Sequence, residues 1–463
     1  MFTFFLFLKI SQLNSAKFAL PTINMTHNFF NLAAHRRLWV LALPILLSNI
    51  TSPLLGLVDT AIIGHLPDAS YLGGVALGAT IISLTLFLFS FLRTATTGMV
   101  AQSFGANNRS KQLEILLQAT GLALGFGIAM LALAPWLFEF ALSLSKASLA
   151  IKEFALQYVQ IRIWSLPLAL LNLVFLGFLL GRQQPKVAMW QVIAANCANI
   201  LFDIWFIYGL ELGVKGAAYA SVIADFIAFA IAIYMLKKQL TVAEINQHLA
   251  SLKLKNILPL LKLKRDIFIR SLCLQLTFAF MTFQGANLSD ITIAANAVLL
   301  NFLLLIAYVL DSIAYYSEAE GGKYWGANDL RSFRQSVQFA WLYSWLFGFA
   351  FSLIFYWAGE FFIQQLTDIV AVQQQATNYL AYLILLPLLA CSAYLLDGVY
   401  IAAAKGEIMR NSMLFCTFAV FFPLWFCFKN SGNAALWMAL CGFMIARSTS
   451  LAWHYFYRLT KTN

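Results

Sequence analysis

The sequence predicts an all-α polytopic membrane protein with twelve transmembrane helices, arranged as two six-helix lobes that an internal repeat relates. The 463 residues are 61% hydrophobic and 11% charged, and the mean hydropathy is +0.78. A soluble core does not require so much apolar sequence. Apolar runs of about 20 residues are long enough to cross a bilayer as helices, so we interpret the runs in this chain as membrane spans.

The predicted spans are distributed evenly about one long polar stretch. They cover 38–63, 72–104, 113–140, 153–180, 187–209, 214–236, 266–287, 292–321, 333–357, 376–403, 410–428 and 434–457. We therefore expect a partly disordered N-terminal extension over 1–35, an N-lobe over 36–236, a cytoplasmic linker over 237–265 and a C-lobe over 266–463.

Both halves carry the same polar turn at the end of an apolar segment. A Gly-Ala-Asn turn occupies 105–107 and recurs at 326–328, 221 residues later. The same offset separates Tyr158 from Tyr379, each of which opens a helix that carries a proline. Two equivalent membrane halves, neither of which encloses a pathway alone, are the common plan of a secondary transporter.

The net charge of +11 is concentrated at one face of the predicted membrane. Lys and Arg gather before the first span, in alternate connections and after the last span, and such residues favour the cytoplasmic side. We therefore expect a multi-pass membrane protein with both termini in the cytoplasm. A basic membrane face explains the charge without nucleic acid, and the lipid bilayer is the partner that the composition predicts.

Neither cysteine nor histidine spacing indicates a metal or redox centre. The six cysteines lie in predicted spans without a CxxC pair, and the five histidines are scattered. The sequence thus predicts no metal, no cofactor and no enzymatic centre.

At the start of the chain, residues 1–8 are apolar but lack a preceding basic residue. Because Met25 begins a more ordinary polar lead, we expect 1–24 to be an upstream extension or an interfacial segment.

Several carboxyl groups fall inside predicted spans, where an ionised acid is costly and therefore faces a cavity or a partner. Asn199 and Asp203 are four residues apart and share a helix face, so the amide can donate to the carboxylate or coordinate a cation beside it. Arg93 lies too deep in its span to reach the inner face easily, which favours an internal ion pair. The acids in question are Asp59, Asp203, Asp225, Asp311, Glu318 and Asp397.

Buried carboxyl groups suit two kinds of coupling ion. Removal from water favours the protonated form of a carboxyl group, so an acid that binds H⁺ from one side and releases it to the other serves a proton-coupled carrier. A Na⁺ site needs similar oxygens with added hydroxyl, amide or carbonyl ligands. The residues alone leave both ions open.

Several segments of the chain resemble multidrug and toxic compound extrusion (MATE) transporters. They are LALP at 41–44, LVDTAIIGHL at 57–66 and AQSFGA at 101–106. Within that family, LLDG at 395–398 and MRNS at 409–412 indicate the DNA-damage-inducible branch. The resemblance implies two lobes about a central cavity and the export of small organic, often cationic, toxic compounds in exchange for H⁺ or Na⁺. It also implies a monomer in a bacterial inner (plasma) membrane.

The resemblance also implies the site. In proton-linked relatives of this branch, the acid of helix 1 joins an Asn and an Asp on helix 5 and a hydroxyl on helix 6. The matching residues here are Asp59, Asn199, Asp203 and Ser221, and the helix-bending proline matches Pro44. The segment 271–277 of helix 7 lacks the acid that is typical of the Na⁺-linked branch, which favours an H⁺ gradient. The secondary candidates are Arg93, Asp311, Glu318 and Asp397.

Two other functions are considered. A lipid-linked oligosaccharide flippase shares the wider architecture, but it would need a basic cavity to hold pyrophosphate, and only Arg93 and Arg162 suit that. A membrane enzyme would need a catalytic cluster at a membrane face, which the sequence does not show, and it would give the internal duplication no role.

Overall fold

The computed structural model describes residues 32–64, 69–143, 147–251 and 258–459, and the regular elements in these ranges are all helical. Twelve helices within them are long and apolar enough to cross a membrane, as predicted. They are α1 Leu32–Ile63, α2 Ser70–Gly105, α3 Arg109–Ser143, α4 Leu149–Gly181, α5 Pro185–Gly209, α6 Gly213–Lys237, α7 Leu258–Leu288, α8 Asp290–Gly326, α9 Leu330–Leu366, α10 Val370–Ala402, α11 Gly406–Ser431 and α12 Asn433–Leu459.

The first helix begins earlier than the sequence predicted. α1 is already helical at Leu32, the first described residue, which is six residues before the expected position 38 and inside the expected extension 1–35. Its first turns have partners in the second half of the chain, since His35 Nδ1 lies 3.0 Å from the Tyr343 hydroxyl and Arg37 forms an ion pair with Glu320. The remainder of that extension, with Met25, lies outside the described residues.

The seventh helix also begins earlier, inside the expected linker 237–265. Leu260, Leu263 and Lys264 are 0%, 5% and 2% exposed, so the first turns of α7 pack within the protein. The first turns of α7 are rich in lysine, as a linker would be, which is why the sequence predicted a linker there. A short helix, Val242–Ser251, occupies the middle of the stretch, and residues 252–257 lie outside the described ranges.

The backbone confirms the predicted repeat. Five described residues other than glycine have a positive φ, and four of them form two pairs whose members are 221 residues apart. Asn107 and Asn328 have φ of 54° and 56°, and Gln183 and Ala404 have φ of 62° and 53°. Such conformations are uncommon outside glycine, so their recurrence at one offset indicates that the two halves make the same turns after α2 and α8, and after α4 and α10.

The two halves close against each other where α2 meets α8, at a contact that we call the helix crossing. A Cβ added to Gly105 would lie 1.8 Å from the Lys323 carbonyl oxygen, and one added to Gly326 would lie 1.9 Å from that of Gln102. Glycine is required here because the backbones approach too closely for any side chain. Gln102 Nε2 also donates to the Ala402 carbonyl at 2.7 Å.

The helices that follow these turns begin with equivalent caps. Asn108 Oδ1 accepts a hydrogen bond from the Lys111 backbone nitrogen at 2.9 Å, and Asp329 Oδ1 accepts one from that of Ser332 at 3.0 Å. These side chains satisfy nitrogens that would otherwise lack a partner at the start of a helix. Only the second cap can titrate, and the hydrogen bonds from Ser332 hold the pKa of Asp329 below its ordinary value of 3.8.

We therefore expect a pH-dependent effect at Asp329. Asp329→Ala should lower the free energy of unfolding by about 1 kcal/mol at pH 7, as is usual for a lost cap. A lowered folded-state pKa means that the carboxylate's contribution is present above pH 3.8 and is lost as the pH falls through the folded-state pKa. Thermal unfolding in detergent at pH 7 and near pH 3 would measure the difference. Asn108→Ala is the matched control and should cost the same at both pH values; equal costs for Asp329→Ala would contradict the argument.

Candidate functional site

The predicted N-lobe residues meet where α1, α5 and α6 pack together. Asp203 and Asn199 on α5 are 2% and 3% exposed. Asp59 on α1 reaches the same position, and its carboxyl group interacts directly with that of Asp203. In the described part of the chain, Oδ1 of Asp59 and Oδ1 of Asp203 have no hydrogen-bond partner. Two contacting acids, each with one free oxygen, thus lie within the membrane-spanning helices.

Asn199 connects this acid pair to α6. With its amide oriented so that both ends are satisfied, Nδ2 donates to Asp203 Oδ2 at 2.8 Å. Its oxygen accepts from the Ser221 backbone nitrogen at 3.1 Å and from the Ser221 hydroxyl at 3.0 Å. The structure therefore brings Asp59, Asn199, Asp203 and Ser221 together; we call these four residues the acid cluster.

The helix that carries Asp59 also touches both halves of the protein. α1 is continuous through Pro44, which lies 15 residues before the acid. Between these two positions, the Thr51 hydroxyl accepts from Asn196 of α5 at 2.9 Å, and Asn49 donates to the Ser312 hydroxyl of α8 at 3.2 Å. A change in the shape of α1 would therefore alter contacts with both halves.

The structure adds a second polar group that the sequence analysis did not assemble. On α4, Arg162 Nη1 lies 2.5 Å from Asp225 Oδ2 and 2.6 Å from the Ser165 hydroxyl. The Tyr158 hydroxyl lies next to Arg162 and Ser221 and within electrostatic range of both acids of the cluster. Tyr158 was identified only as a repeat marker, although its spacing of four residues from Arg162 places both on one helix face.

A cavity of about 200 Å³ adjoins this ion pair, between α2, α4, α5 and α6. Its polar lining consists of Asn172, Gln191, Asn196 and Asp225 among aliphatic side chains. Asn172 Nδ2 donates to the Asp225 carbonyl at 2.9 Å, while Gln191 Oε1 has no partner among the described residues. A carboxylate with adjacent amides in an apolar wall can orient a small polar ligand.

The secondary candidates form a separate group around α8. Arg93 Nη1 of α2 lies 3.5 Å from Glu318 Oε2, and its guanidinium group lies 4.0 Å from the centre of the Tyr315 ring. This is the internal ion pair that the depth of Arg93 predicted. Because Arg93 and Glu318 come from different halves, the pair also joins them.

Asp397 is held by two arginines. Its Oδ2 accepts hydrogen bonds from Arg270 of α7 and Arg447 of α12, and Arg447 is only 1% exposed. Asp311 lies within electrostatic range of the same two guanidinium groups. Asp397 therefore serves as a shared counter-ion, an arrangement that the separate sequence positions of the arginines did not reveal. Among the described residues, no group of three or more His, Cys, Asp or Glu side chains is arranged to hold a metal ion.

Twelve spans in two equivalent halves, with acids inside the span region, are typical of a polytopic transport protein. The MatE family model matches residues 44–205 and 267–426, one match in each half. The chain is 41% identical over 424 residues to DNA damage-inducible protein F of Escherichia coli (strain K12), covering 91% of this chain and 92% of that protein. The chain belongs to the MATE family of multidrug efflux transporters, whose members are driven by ion gradients without a cofactor.

More distant relatives agree with this assignment. Multidrug and toxin extrusion protein 1 of Homo sapiens is 26% identical over 334 residues, which are 69% of this chain and 56% of that protein. A solved outward-facing conformation of a multidrug resistance MATE family transporter of the MOP superfamily has a TM-score of 0.84 at 17% identity, covering 93% of this chain and 97% of that one. At that identity the likeness shows the fold alone.

Proposed function

We propose that this protein exports organic, often cationic, compounds in exchange for H⁺ by alternating access, with Asp59 and Asp203 as the proton carriers. The observation that carries the proposal is the direct contact between these two carboxyl groups. Two negative charges this close, away from bulk water, repel each other strongly. A proton shared by the pair removes that repulsion and lets one carboxyl donate to the other.

Asn199 and Ser221 support a proton rather than a metal ion at this position. In the orientation that satisfies both ends of the amide, the Asn199 nitrogen donates to Asp203 and its oxygen accepts from two donors of Ser221. A cation site would instead require the amide and hydroxyl oxygens to point at the ion. The arrangement therefore stabilises the charge of Asp203 when the proton is absent and leaves the pair free to accept one.

The proposed transport cycle depends on a change in the packing of α1. Protonation of Asp59 and Asp203 from the periplasmic side changes how α1 packs on α5, and Pro44 provides the position at which the helix bends. Because α1 contacts both halves, this change closes the substrate space on one side and favours release; loss of the proton to the cytoplasm resets it. We propose that the protein acts as a monomer in a bacterial inner membrane, with both termini cytoplasmic.

The alternatives receive less support. A Na⁺-coupled antiporter would use other acids, but the next candidate, Asp397, already forms ion pairs with two arginines. A lipid-linked oligosaccharide flippase would need unpaired basic groups for pyrophosphate. Four arginines of the described spans are instead paired with acids: Arg93 with Glu318, Arg162 with Asp225, and Arg270 and Arg447 with Asp397. The buried Lys264 Nζ, near the start of α7, has no partner among the described residues.

Efflux from vesicles tests the proposal. Purified protein is reconstituted, and ethidium efflux is followed under an imposed pH gradient or, separately, a Na⁺ gradient. The pH gradient should drive efflux, and Asp203→Asn should reduce that efflux by at least about tenfold because the proton site is lost. Asp368→Asn, at an exposed acid between α9 and α10, is the control and should transport normally. Efflux driven by Na⁺ alone, or unchanged by Asp203→Asn, would refute proton coupling through the acid cluster.

A further inference from the structure

Arg162 lies between two acidic sites and has unused capacity to bind. Its Nη1 is 2.5 Å from Asp225 Oδ2, whereas its Nε has no partner in the described part of the chain. On its other side the Tyr158 hydroxyl leads to Ser221 and the acid cluster. The arginine is 8% exposed, so neither water nor salt competes strongly for its charge.

The charges around Arg162 do not balance when all groups are ionised. Asp225 of α6 contacts Arg162 directly, and Asp59 of α1 and Asp203 of α5 lie within electrostatic range of the adjacent Tyr158. On α2, which also packs on α4, Arg93 is already paired with Glu318. One guanidinium group therefore serves three carboxyl groups, and it can be fully paired with only one acidic site at a time.

We infer that Arg162 is a counter-ion shared between the proton site and a substrate site, and that its movement couples them. Arg162 pairs with Asp225 in the structure, and we assign this arrangement to the protonated acid cluster. When the cluster loses the proton, its negative charge draws Arg162 toward Tyr158 and frees Asp225 to bind an organic cation. The inference rests on the proposed proton coupling and adds a coupling residue and the carboxylate that binds the substrate cation.

The cavity beside Asp225 fits the cationic end of such a molecule. The Asp225 side chain is 21% exposed and lines the cavity of about 200 Å³. Asn172 and Gln191 contribute polar groups, and aliphatic side chains such as Leu173 and Leu176 make up much of the wall. A carboxylate in an apolar recess attracts an amine or quaternary ammonium group strongly once its own counter-ion has left.

Because the two sites share one counter-ion, proton binding at one site weakens substrate binding at the other, as antiport requires. An exchanger must not hold proton and substrate equally well in the same state, and the preference is a reciprocal coupling between two sites. Here the proton returns Arg162 to Asp225, where it competes with the cation. Arg162 is thus a positioning residue: it contacts Asp225 and acts on the substrate through it.

A binding cycle at one pH tests this inference. Binding of radiolabelled tetraethylammonium to the purified full chain is measured at pH 8. Asp203→Asn imitates the protonated cluster and should weaken binding about tenfold, within the usual range of coupling between sites. Arg162→Gln should bind at least as tightly as the wild type, and Arg162→Gln with Asp203→Asn should bind as Arg162→Gln does. Asp225→Asn should lose binding in either background.

Two further variants keep the test decisive. Arg162→Lys keeps the charge and should preserve the effect of Asp203→Asn. Asp368→Asn, at the exposed acid between α9 and α10, should preserve it as well. Thermal unfolding shows whether each variant folds. If Arg162→Gln does not fold, the binding results for Asp225→Asn and Arg162→Lys test the inference instead.

The inference fails if Asp203→Asn weakens binding equally with and without Arg162, if Asp225→Asn binds normally, or if the wild type does not bind tetraethylammonium. If Asp203→Asn loses pH-driven ethidium efflux but the effects of Arg162→Gln and Asp203→Asn on binding are independent, the inference is refuted and the proposed function is retained. Efflux that does not respond to the pH gradient would remove the proposed function itself.

Discussion

Gly105→Ala should destabilise the protein strongly, although it adds a single methyl group. The new Cβ would lie 1.8 Å from the carbonyl oxygen of Lys323, 2.6 Å from its carbonyl carbon and 2.9 Å from its Cα. All three atoms belong to the backbone, so no side chain can rotate away and α2 must separate from α8. We expect the free energy of unfolding to fall by about 3 kcal/mol, at the upper end of the usual cost of overpacking, as measured by denaturation in detergent.

The chain provides the matched control for this prediction. Cβ atoms added to Gly121 and Gly125 of α3 would meet nothing within 4 Å. Gly121→Ala and Gly125→Ala should leave the stability unchanged or raise it by up to about 1 kcal/mol, because alanine favours a helix. Gly326→Ala should match Gly105→Ala, since the repeat places it in the equivalent contact. A stable Gly105→Ala variant would show that the helix crossing is not packed as described.

The helices could be predicted from the sequence because their signal is local. Each apolar run had to cross a bilayer, and the Gly-Ala-Asn turns at 105–107 and 326–328 marked the duplication. The errors occurred where polar residues lie inside the packed protein. Residues 32–37 belong to α1, where His35 and Arg37 find partners on other helices, and the charged start of α7 was interpreted as linker. A window of sequence does not show such long-range partners.

The site was predicted in part for the same reason. Asn199 and Asp203 share one turn of a helix, so their proximity could be derived, and the resemblance added Asp59 and Ser221. The Arg162–Asp225 pair joins residues 63 positions apart, and the cavity beside it is formed by four helices. Only the packing of α4 on α6 brings this pair together, so no local pattern could have identified it.

Asp397→Asn should also have a large effect, because it removes the counter-ion of two buried arginines. Asp397 and Arg447 have side chains that are 9% and 1% exposed, and Arg270 is 16% exposed. In the described chain, Arg447 Nε and Nη1 already lack partners, so loss of the carboxylate charge leaves two cations in a poorly hydrated interior. Breaking a buried ion pair by removing one partner costs about 3–5 kcal/mol, and we expect the free energy of unfolding to fall by that amount.

An exposed pair in the same half provides the comparison. Lys262 Nζ lies 3.8 Å from Glu407 Oε2, with side chains that are 63% and 46% exposed, and such pairs contribute about 0–1 kcal/mol. Glu407→Gln should therefore be nearly neutral. Adding Arg447→Gln to Asp397→Asn should restore part of the lost stability, because one unpaired charge is removed with its partner. A different result would favour the Na⁺-coupled alternative. If Asp397→Asn is stable and the variant is no longer stabilised by Na⁺, then Asp397 is a cation ligand rather than a counter-ion of the arginines.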